Sequence, residues 1–270
     1  MLNICRADKM LLAGGAALLG SSFLFGATPL SLGIPAGAFA ALMADGVFRP
    51  ASGLLHPTIS RGSRERPLVA LTFDDGPDPQ VTPRVLDALG ACGARATFFV
   101  IGRHAEQRAT IAERIVAEGH ELGNHSWTHS YFQNFYDRRR QADDIERNRR
   151  LIRQISGREP LYRPPVGLKS PALARIAHAA GMTIVAWSLH SRDTYARDPD
   201  AVAARVLARV RPGDIVLLHD GHERASRQRL VAATALPAIL RGLQARRLQP
   251  VSVSELLHAS ETMPDAMLRG

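Results

Sequence analysis

Between Met10 and Ala44 this chain has no Asp, Glu, Lys or Arg. An uncharged run of that length exceeds the roughly 20 residues a helix needs to cross a bilayer, which argues against an ordinary soluble extension. Cysteine is nearly absent: Cys5 and Cys92 are the only two among the 270 residues, in unrelated contexts, so a disulfide framework is not expected and the redox compartment stays open. No Gly-rich phosphate loop follows the first strand-like run, which excludes a Rossmann-type nucleotide enzyme. There is no internal repeat, no low-complexity linker and no nucleic-acid motif. Lysine is scarce too, so nearly all of the formal +9 charge is carried by arginine. That surplus suits an anionic partner such as membrane headgroups or an acidic polymer. Its densest stretch, DRRRQADDIERNRRLIRQ at 137–154, interleaves acids at helical spacing and reads as a solvated helix face.

The composition is that of a globular protein, 46% hydrophobic and 22% charged, with room for one large domain plus an appendage. Residues 1–50 form the appendage, 51–66 a linker, 67–258 the main domain and 259–270 a loosely held tail. Three readings compete for the uncharged run. It is a signal peptide with AFA at 38–40 as a small-residue cleavage site, a single retained anchor, or a hairpin turning near Pro29 to Pro35. The first two put the main domain outside the cytoplasm, in a bacterial periplasm or envelope; the hairpin returns it to the cytoplasmic face. Arg6 and Lys9 precede the run while Arg49, Arg61, Arg64 and Arg66 follow it, so the positive-inside rule does not orient a single span.

From Pro67 onward, apolar runs of strand length alternate with helical stretches. Strands are expected near 67–73, 96–101, 121–124, 161–163, 183–188, 214–219 and 249–253, and helices near 81–92, 104–118, 138–155, 171–180, 199–210 and 228–245. Such alternation predicts an α/β fold with a mainly parallel sheet, open or closed into a barrel. In either case functional groups collect at the carboxyl ends of the strands. The first of those ends carries Asp74 and Asp75, two like charges that resist burial unless something offsets them. The third runs GHELGNHSWTHS, where His125 and His129 stand at i, i+4 and on a helical turn would share a metal. A surface pair is the commoner outcome for such spacing, but an acidic strand end in the same sheet could complete a two-His, one-carboxylate set. The fourth is YRPPVG, placing Arg163 before two prolines, and the sixth, DIVLLHDG, ends on His219, a natural proton donor beside a metal and a carboxylate.

TFDDG at 72–76, HSWTH at 125–129, RPPVG at 163–167 and LLHD at 217–220 occur in that order, and together they resemble the polysaccharide deacetylases of carbohydrate esterase family 4, the nodulation-type chitooligosaccharide deacetylase homology domain. The resemblance covers residues 67–258. It implies a distorted (β/α) barrel and metal-dependent removal of N-acetyl or O-acetyl groups from sugars, often N-acetylglucosamine polymers. It further implies that Asp75, His125 and His129 hold one divalent cation, zinc first, with cobalt, nickel or manganese as alternatives. Asp74 would then be the general base, Arg163 its holder and His219 the acid, tuned by Asp193. Pro165, Val166 and Leu217 would contact substrate, with a backbone N–H near Val166 facing the oxyanion.

One block departs from the family pattern. WSLHSRDT has His190 and Thr194 where the family's Asp-x-x-Asp-Trp carries its first Asp and its Trp, and Val166 stands where an aromatic residue is common. The expected substrate is therefore an acetylated carbohydrate that differs from a long stacked polymer, met at a membrane through residues 10–44. No nucleic acid is expected and no specific protein partner can be inferred. An O-deacetylase or deformylase of a lipid-linked or other small sugar is the alternative, and a catalytically silent carbohydrate-binding protein is the alternative of another class.

Overall fold

A computed structural model describes residues 4–222 and 230–261. Two helices, α1 (Arg6–Phe25) and α2 (Pro29–Phe48), precede a short strand β1 (Thr58–Ile59). Then come β2 (Leu68–Asp74), α3 (Thr82–Ala91), β3 (Thr97–Val100), α4 (Gly102–Gln107), α5 (Ala109–Ala117) and β4 (Glu121–Asn124). The second half holds α6 (Arg138–Ser156), α7 (Pro171–Ala179), β5 (Ile184–Val185), β6 (Leu189–His190), α8 (Pro199–Arg209), β7 (Ile215–His219), α9 (Leu230–Ala245), β8 (Gln249–Val251) and α10 (Val253–Glu261). The chain divides into two compact units: residues 1–59, 130–143 and 164–186 form the first, and 60–129, 144–163 and 187–270 the second.

The larger, second unit is built on a parallel sheet in the order β4-β3-β2-β7-β6, with β8 pairing the start of β2. Six of the seven residues of β2 are buried. A central parallel strand covered on both faces needs such a continuous apolar run, and LVALTF supplies it. Phe73 stacks on Phe98 at 5.1 Å, and the surrounding core draws Val85, Leu86 and Leu89 from α3, Ile115 from α5, Val206 from α8 and Leu236, Ile239 and Leu243 from α9. The β2–β7 register sets Asp74 opposite His219, while β2 and β3 set Asp74 opposite Phe99. Every strand thus points its carboxyl end the same way. After β2 the Asp78 side chain accepts from Gln80 N (2.8 Å) and Val81 N (3.0 Å), a local turn that steers the chain into α3.

The first unit contains α1, α2, α7 and the parallel pair β1–β5. Helix α7 begins at Ser170, whose side chain caps Leu173 N at 3.1 Å, followed by Pro171. Helices α1 and α2 are each 20 residues and apolar enough to cross a membrane by length and composition.

Several expected elements change shape. The helix expected over 104–118 is two, because Arg108 (φ −128, ψ 47) leaves helical geometry between α4 and α5. The strand expected at 161–163 reduces to one bridge between Asn124 and Tyr162, as Pro164 and Pro165 follow at once. The 183–188 strand contributes only β5 to the first unit, and the pairing with β7 is made by β6. Strand β1 lies in the expected linker, and α10 runs past Ser260 to Glu261. Residues 228–229 of the expected last helix and 262–270 of the expected tail lie outside the described residues.

Candidate metal and catalytic site

Strand β2 ends with Asp74 and Asp75 3% and 6% exposed, so the turn is not a solvated one. Asp75 takes a left-handed backbone (φ 75), a conformation that costs a non-glycine residue free energy and persists only when its surroundings hold it. Two contacts hold it: the His104 imidazole bonds the Asp75 carbonyl through Nδ1 at 3.0 Å, and Ile101 N donates to Gly76 O at 3.0 Å. The strand-end turns of β2 and β7 also interlock. A Cβ on Gly76 would lie 2.3 Å from Asp220 Oδ2, and one on Gly221 would lie 2.4 Å from Asp75 O, so each Asp-Gly pair needs its glycine for close approach.

The carboxyl end of β4 supplies both histidines. They meet not on a helical turn, as their spacing suggested, but on a loop in which Ser126 (φ 65) and His129 (φ 53) are left-handed. Side chains define that loop. Asn124 Oδ1 accepts from Ser126 N (2.8 Å), Ser126 Oγ from His129 N (3.0 Å), and the Asp144 carboxylate from Trp127 N (3.1 Å) and Thr128 N (3.2 Å). Fully buried Asn148 donates to Val100 O, Asn124 Oδ1 and Ser126 O, each at 2.9 Å. Asp144 and Asn148 lie in the stretch that sequence reasoning assigned to a solvated face. The signal there was their placement, four apart, on the side of α6 away from the arginines.

The result is a buried cluster. His129 Nε2 is 3.1 Å and His125 Nε2 3.6 Å from Asp75 Oδ1, and the three candidate ligand atoms lie within 4.8 Å of one another. His125 Nδ1 bonds Arg163 O at 2.7 Å; since a carbonyl only accepts, Nδ1 carries the proton and the Nε2 lone pair faces the cluster. Burial pushes the His125 imidazole down to about 4, against the pull of the carboxylates, so it is neutral at pH 7. Neutral imidazole beside a buried carboxylate is the donor set a borderline divalent cation prefers, and the residues present fit such an ion.

Asp74 borders that cluster but is held by a different partner. Fully buried Arg163 donates from Nη1 to Asp74 Oδ1 (2.7 Å) and to Thr72 Oγ1 (2.8 Å), and its guanidinium lies over Phe99 at 4.0 Å. Thr72 passes its own proton to Val216 O at 2.8 Å. With Oδ1 occupied, Oδ2 is the oxygen Asp74 turns toward His125 Nε2, 3.7 Å away.

His219 ends β7 with Nδ1 on Asp193 Oδ1 (2.9 Å) and its backbone N on Asp193 Oδ2 (2.8 Å). Ser191 Oγ bonds the same carboxylate at 2.8 Å. Burial disfavours the imidazolium, but the charge and hydrogen bond of Asp193, with Asp75 and Asp74 beyond, raise the His219 pKa to about 9. Burial also opposes ionisation of Asp193, yet His219 and Ser191 hold its pKa below the usual carboxylate range. Asp220, next in sequence, is pushed up to about 7 by burial and the neighbouring Asp75 and Asp74, while Thr82 Oγ1 bonds it at 2.6 Å.

Leu217 is buried within β7. Pro165 and Val166 belong to the first unit, on a tight turn where Pro165 is buried and Val166 (φ 48) is 45% exposed. In the divergent block, His190 pairs Leu217 in the sheet and its ring centre lies 6.2 Å from that of His219. Trp187 packs against His190 at 6.0 Å and stands 5.7 Å from the Arg163 guanidinium, an aromatic group that sequence reasoning passed over. Trp127 is sealed under Arg147 (3.6 Å), whereas Tyr195 is 86% exposed.

A parallel sheet that gathers two carboxylates, two convergent imidazoles and a carboxylate-paired histidine at its strand ends is an α/β scaffold of the hydrolytic class. The profile of the polysaccharide deacetylase family matches residues 61–185. A peptidoglycan-N-acetylglucosamine deacetylase of Bacillus cereus is 38% identical over 193 residues, 70% of this chain and 88% of the relative. A chitooligosaccharide deacetylase of Sinorhizobium fredii is 42% identical over 166 residues, 61% of this chain and 77% of the relative. The chain belongs to the polysaccharide deacetylase family. Its fold agrees: a solved peptidoglycan N-acetylglucosamine deacetylase, crystallised with a naphthyl N-hydroxybenzamide, superposes with a TM-score of 0.70 at 28% identity, covering 74% of this chain and 92% of that one. The mainly parallel, helix-covered sheet is thus the distorted (β/α) barrel type expected from the motifs.

Proposed function

We propose that residues 67–258 form a metal-dependent hydrolase that removes N-acetyl groups from a GlcNAc-type sugar, with Asp75, His125 and His129 holding one divalent cation, zinc first. The observation that carries this reading is the division of labour between adjacent carboxylates: Asp75 faces two histidines, while Asp74 is pinned by Arg163 with one oxygen left over. Bound at the cluster, the cation would supply Lewis acidity toward the acetyl carbonyl and ease deprotonation of a water. Asp74 Oδ2 takes that water's proton, and Arg163 holds Asp74 in that orientation through its bond to Oδ1. As the new C–O bond forms and the C–N bond breaks, the leaving nitrogen takes a proton from His219 Nε2, since Nδ1 is engaged by Asp193. The products are acetate and a free amine. Leu217, buried in β7 of the second unit, is assigned to substrate contact.

The departures at Thr194 and Val166, each in place of an aromatic residue common in the family, together with His190, support a substrate shorter than a long chitin-like chain, such as a small or membrane-presented sugar, with O-acetyl or formyl groups as the second reading. A silent carbohydrate-binding role has less support, because every group the chemistry needs is present. Mass spectrometry of acetylated oligosaccharides incubated with the metal-loaded protein tests the proposal. Loss of one acetyl mass, abolished in Asp74→Asn, is expected. Saccharide binding with no acetyl release at any metal loading would leave only the silent role.

A further inference from the structure

Helices α1 and α2 lie antiparallel: Ser21 Oγ donates to Ser31 O at 2.6 Å near one end, and a Cβ on Gly14 would sit 2.5 Å from the Phe39 ring further along. Each helix is 20 residues, about 30 Å at about 1.5 Å rise, and the uncharged part of each, 10–25 and 29–44, supplies about 24 Å toward a hydrocarbon core of about 30 Å. The closed end exposes large apolar side chains and satisfies its polar groups locally. Leu19, Phe23, Leu24, Phe25 and Leu30 are each at least 71% exposed. Its hydroxyls, by contrast, are used up locally. Thr28 and Ser31 form a reciprocal cap, Ser31 Oγ also donates to Gly26 O (2.5 Å), and Ser22 Oγ bonds Leu18 O (2.9 Å). Hydrocarbon demands such local satisfaction of polar groups and water does not.

The open end is different. Cys5 and Ala7 are buried with Leu55 and Ala174, with Met10, Met43 and Val47 around them. Arg175 Nε bonds Asp8 Oδ1 at 2.6 Å, and Arg6 reaches Gly53 O at 3.0 Å. Lys169, 1% exposed, donates from Nζ to Pro50 O (2.7 Å) and Ser52 O (2.6 Å) and from its backbone N to Val47 O (3.2 Å). The first turn of α1 is therefore part of the first unit's own packing. Cleavage after the AFA at 38–40 would strip Cys5, Ala7 and Asp8 out of that packing.

We propose that α1 and α2 are a retained two-span hairpin embedded in the lipid bilayer, holding the rest of the chain on the cytoplasmic side. A hairpin resolves the charge pattern that no single span satisfies. Arg6, Lys9, Arg49, Arg61, Arg64 and Arg66 all fall on the open side, while residues 10–44, including the closed end, carry no charge. Among the described residues no later helix takes the chain back across. The other apolar helix, α9, has Leu236, Ile239, Leu240 and Leu243 buried in the second unit's core. Taken with the deacetylase reading, on which this consequence rests, the substrate is an N-acetylated sugar displayed at the cytoplasmic face, and a finished wall polymer outside the membrane is out of reach.

Cys92, exposed in the second unit, and Cys5, buried, make the full chain its own topology reporter. In a Gram-negative host, a membrane-impermeant maleimide should leave the protein unlabelled in spheroplasts and label Cys92 at least tenfold more after lysis. Trypsin should likewise cut the domain only after lysis, the protein should stay in the pellet after carbonate washing, and its intact mass should include residues 1–40. Labelling or digestion in intact spheroplasts, a mass beginning near residue 41, or release by carbonate would each overturn the hairpin. A Leu19→Asp, Phe23→Asp double variant should lose carbonate resistance while the detergent-purified protein keeps its parent rate of acetyl release. Exposed topology with normal acetyl release refutes the hairpin alone; correct topology with no acetyl release refutes the functional reading alone.

Discussion

Replacing Asp193 with Asn removes the main support for a charged His219. The charge of Asp193 and its 2.9 Å bond to Nδ1 are the leading influences opposing burial and, with Asp75 and Asp74 beyond, they raise His219 from an ordinary 6.5 to about 9. Without them burial prevails, and the imidazole titrates at or below about 6.5. A general acid must be protonated to act, so the alkaline limb of kcat/KM follows this pKa. With the limb near 9, nearly all of the enzyme is active at pH 7.5; with it near 6.5, only about a tenth is. The expected loss is about tenfold at pH 7.5 and less than about twofold at pH 5.5, a dependence that simple unfolding would not produce. A cation held by Asp75, His125 and His129 offsets the Asp74 and Asp75 contributions but leaves that of Asp193, so the difference between parent and variant persists. The same shift stabilises the fold. Because the folded pKa is the higher one, the full contribution is present below about 6.5 and is lost as pH rises through about 9. The rise from 6.5 to about 9 corresponds to on the order of 3 kcal/mol. The assay is a pH–rate profile of acetate release with circular dichroism and metal content as controls, together with an NMR titration of the His219 ring. An alkaline limb that stays in place in the variant would refute the assignment of His219 as the acid.

Other consequences can be tested separately. His125→Ala should lower zinc affinity at least about tenfold by competition with a chelating dye, since three-ligand sites depend on each member; unchanged affinity would move the metal elsewhere. Asp74→Asn should keep stoichiometric metal and lose about 10²–10⁴-fold in rate, whereas equal loss of metal and activity would make Asp74 a ligand. Asn148→Ala leaves Val100 O, Ser126 O and Asn124 Oδ1 without their shared donor, so about 2 kcal/mol and a fall in Tm of about 4–8 °C are expected by calorimetry. Thr194→Trp should shift preference toward longer oligomers at constant metal content. Parent turnover that already rises steeply with chain length would count against the proposed loss of the stacking wall.

The family and the strand-helix alternation were readable in the chain, and Asp74, Asp75, His125, Arg163 and His219 stood out as candidates because they sit at or just past the ends of short apolar runs, which the strand period and turn residues mark without knowledge of neighbours. His129 entered through its spacing from His125, and Asp193 through the family resemblance. What the chain left open was decided by contacts distant in sequence. The loop that makes His125 and His129 converge depends on Asp144 and Asn148 about twenty residues away, and helical spacing had suggested a different geometry. His104 under the strained Asp75 backbone, Trp187 beside Arg163 and Asp220 against Gly76 carry no local signature, because each matters only through what lies opposite it. The same holds for the N-terminal run. Its hydrophobicity is legible residue by residue, but anchor, leader and hairpin share one composition. The packing of Cys5, Ala7 and Asp8 at the open end is a tertiary fact, since only folding brings Leu55, Ala174 and Arg175 to meet them.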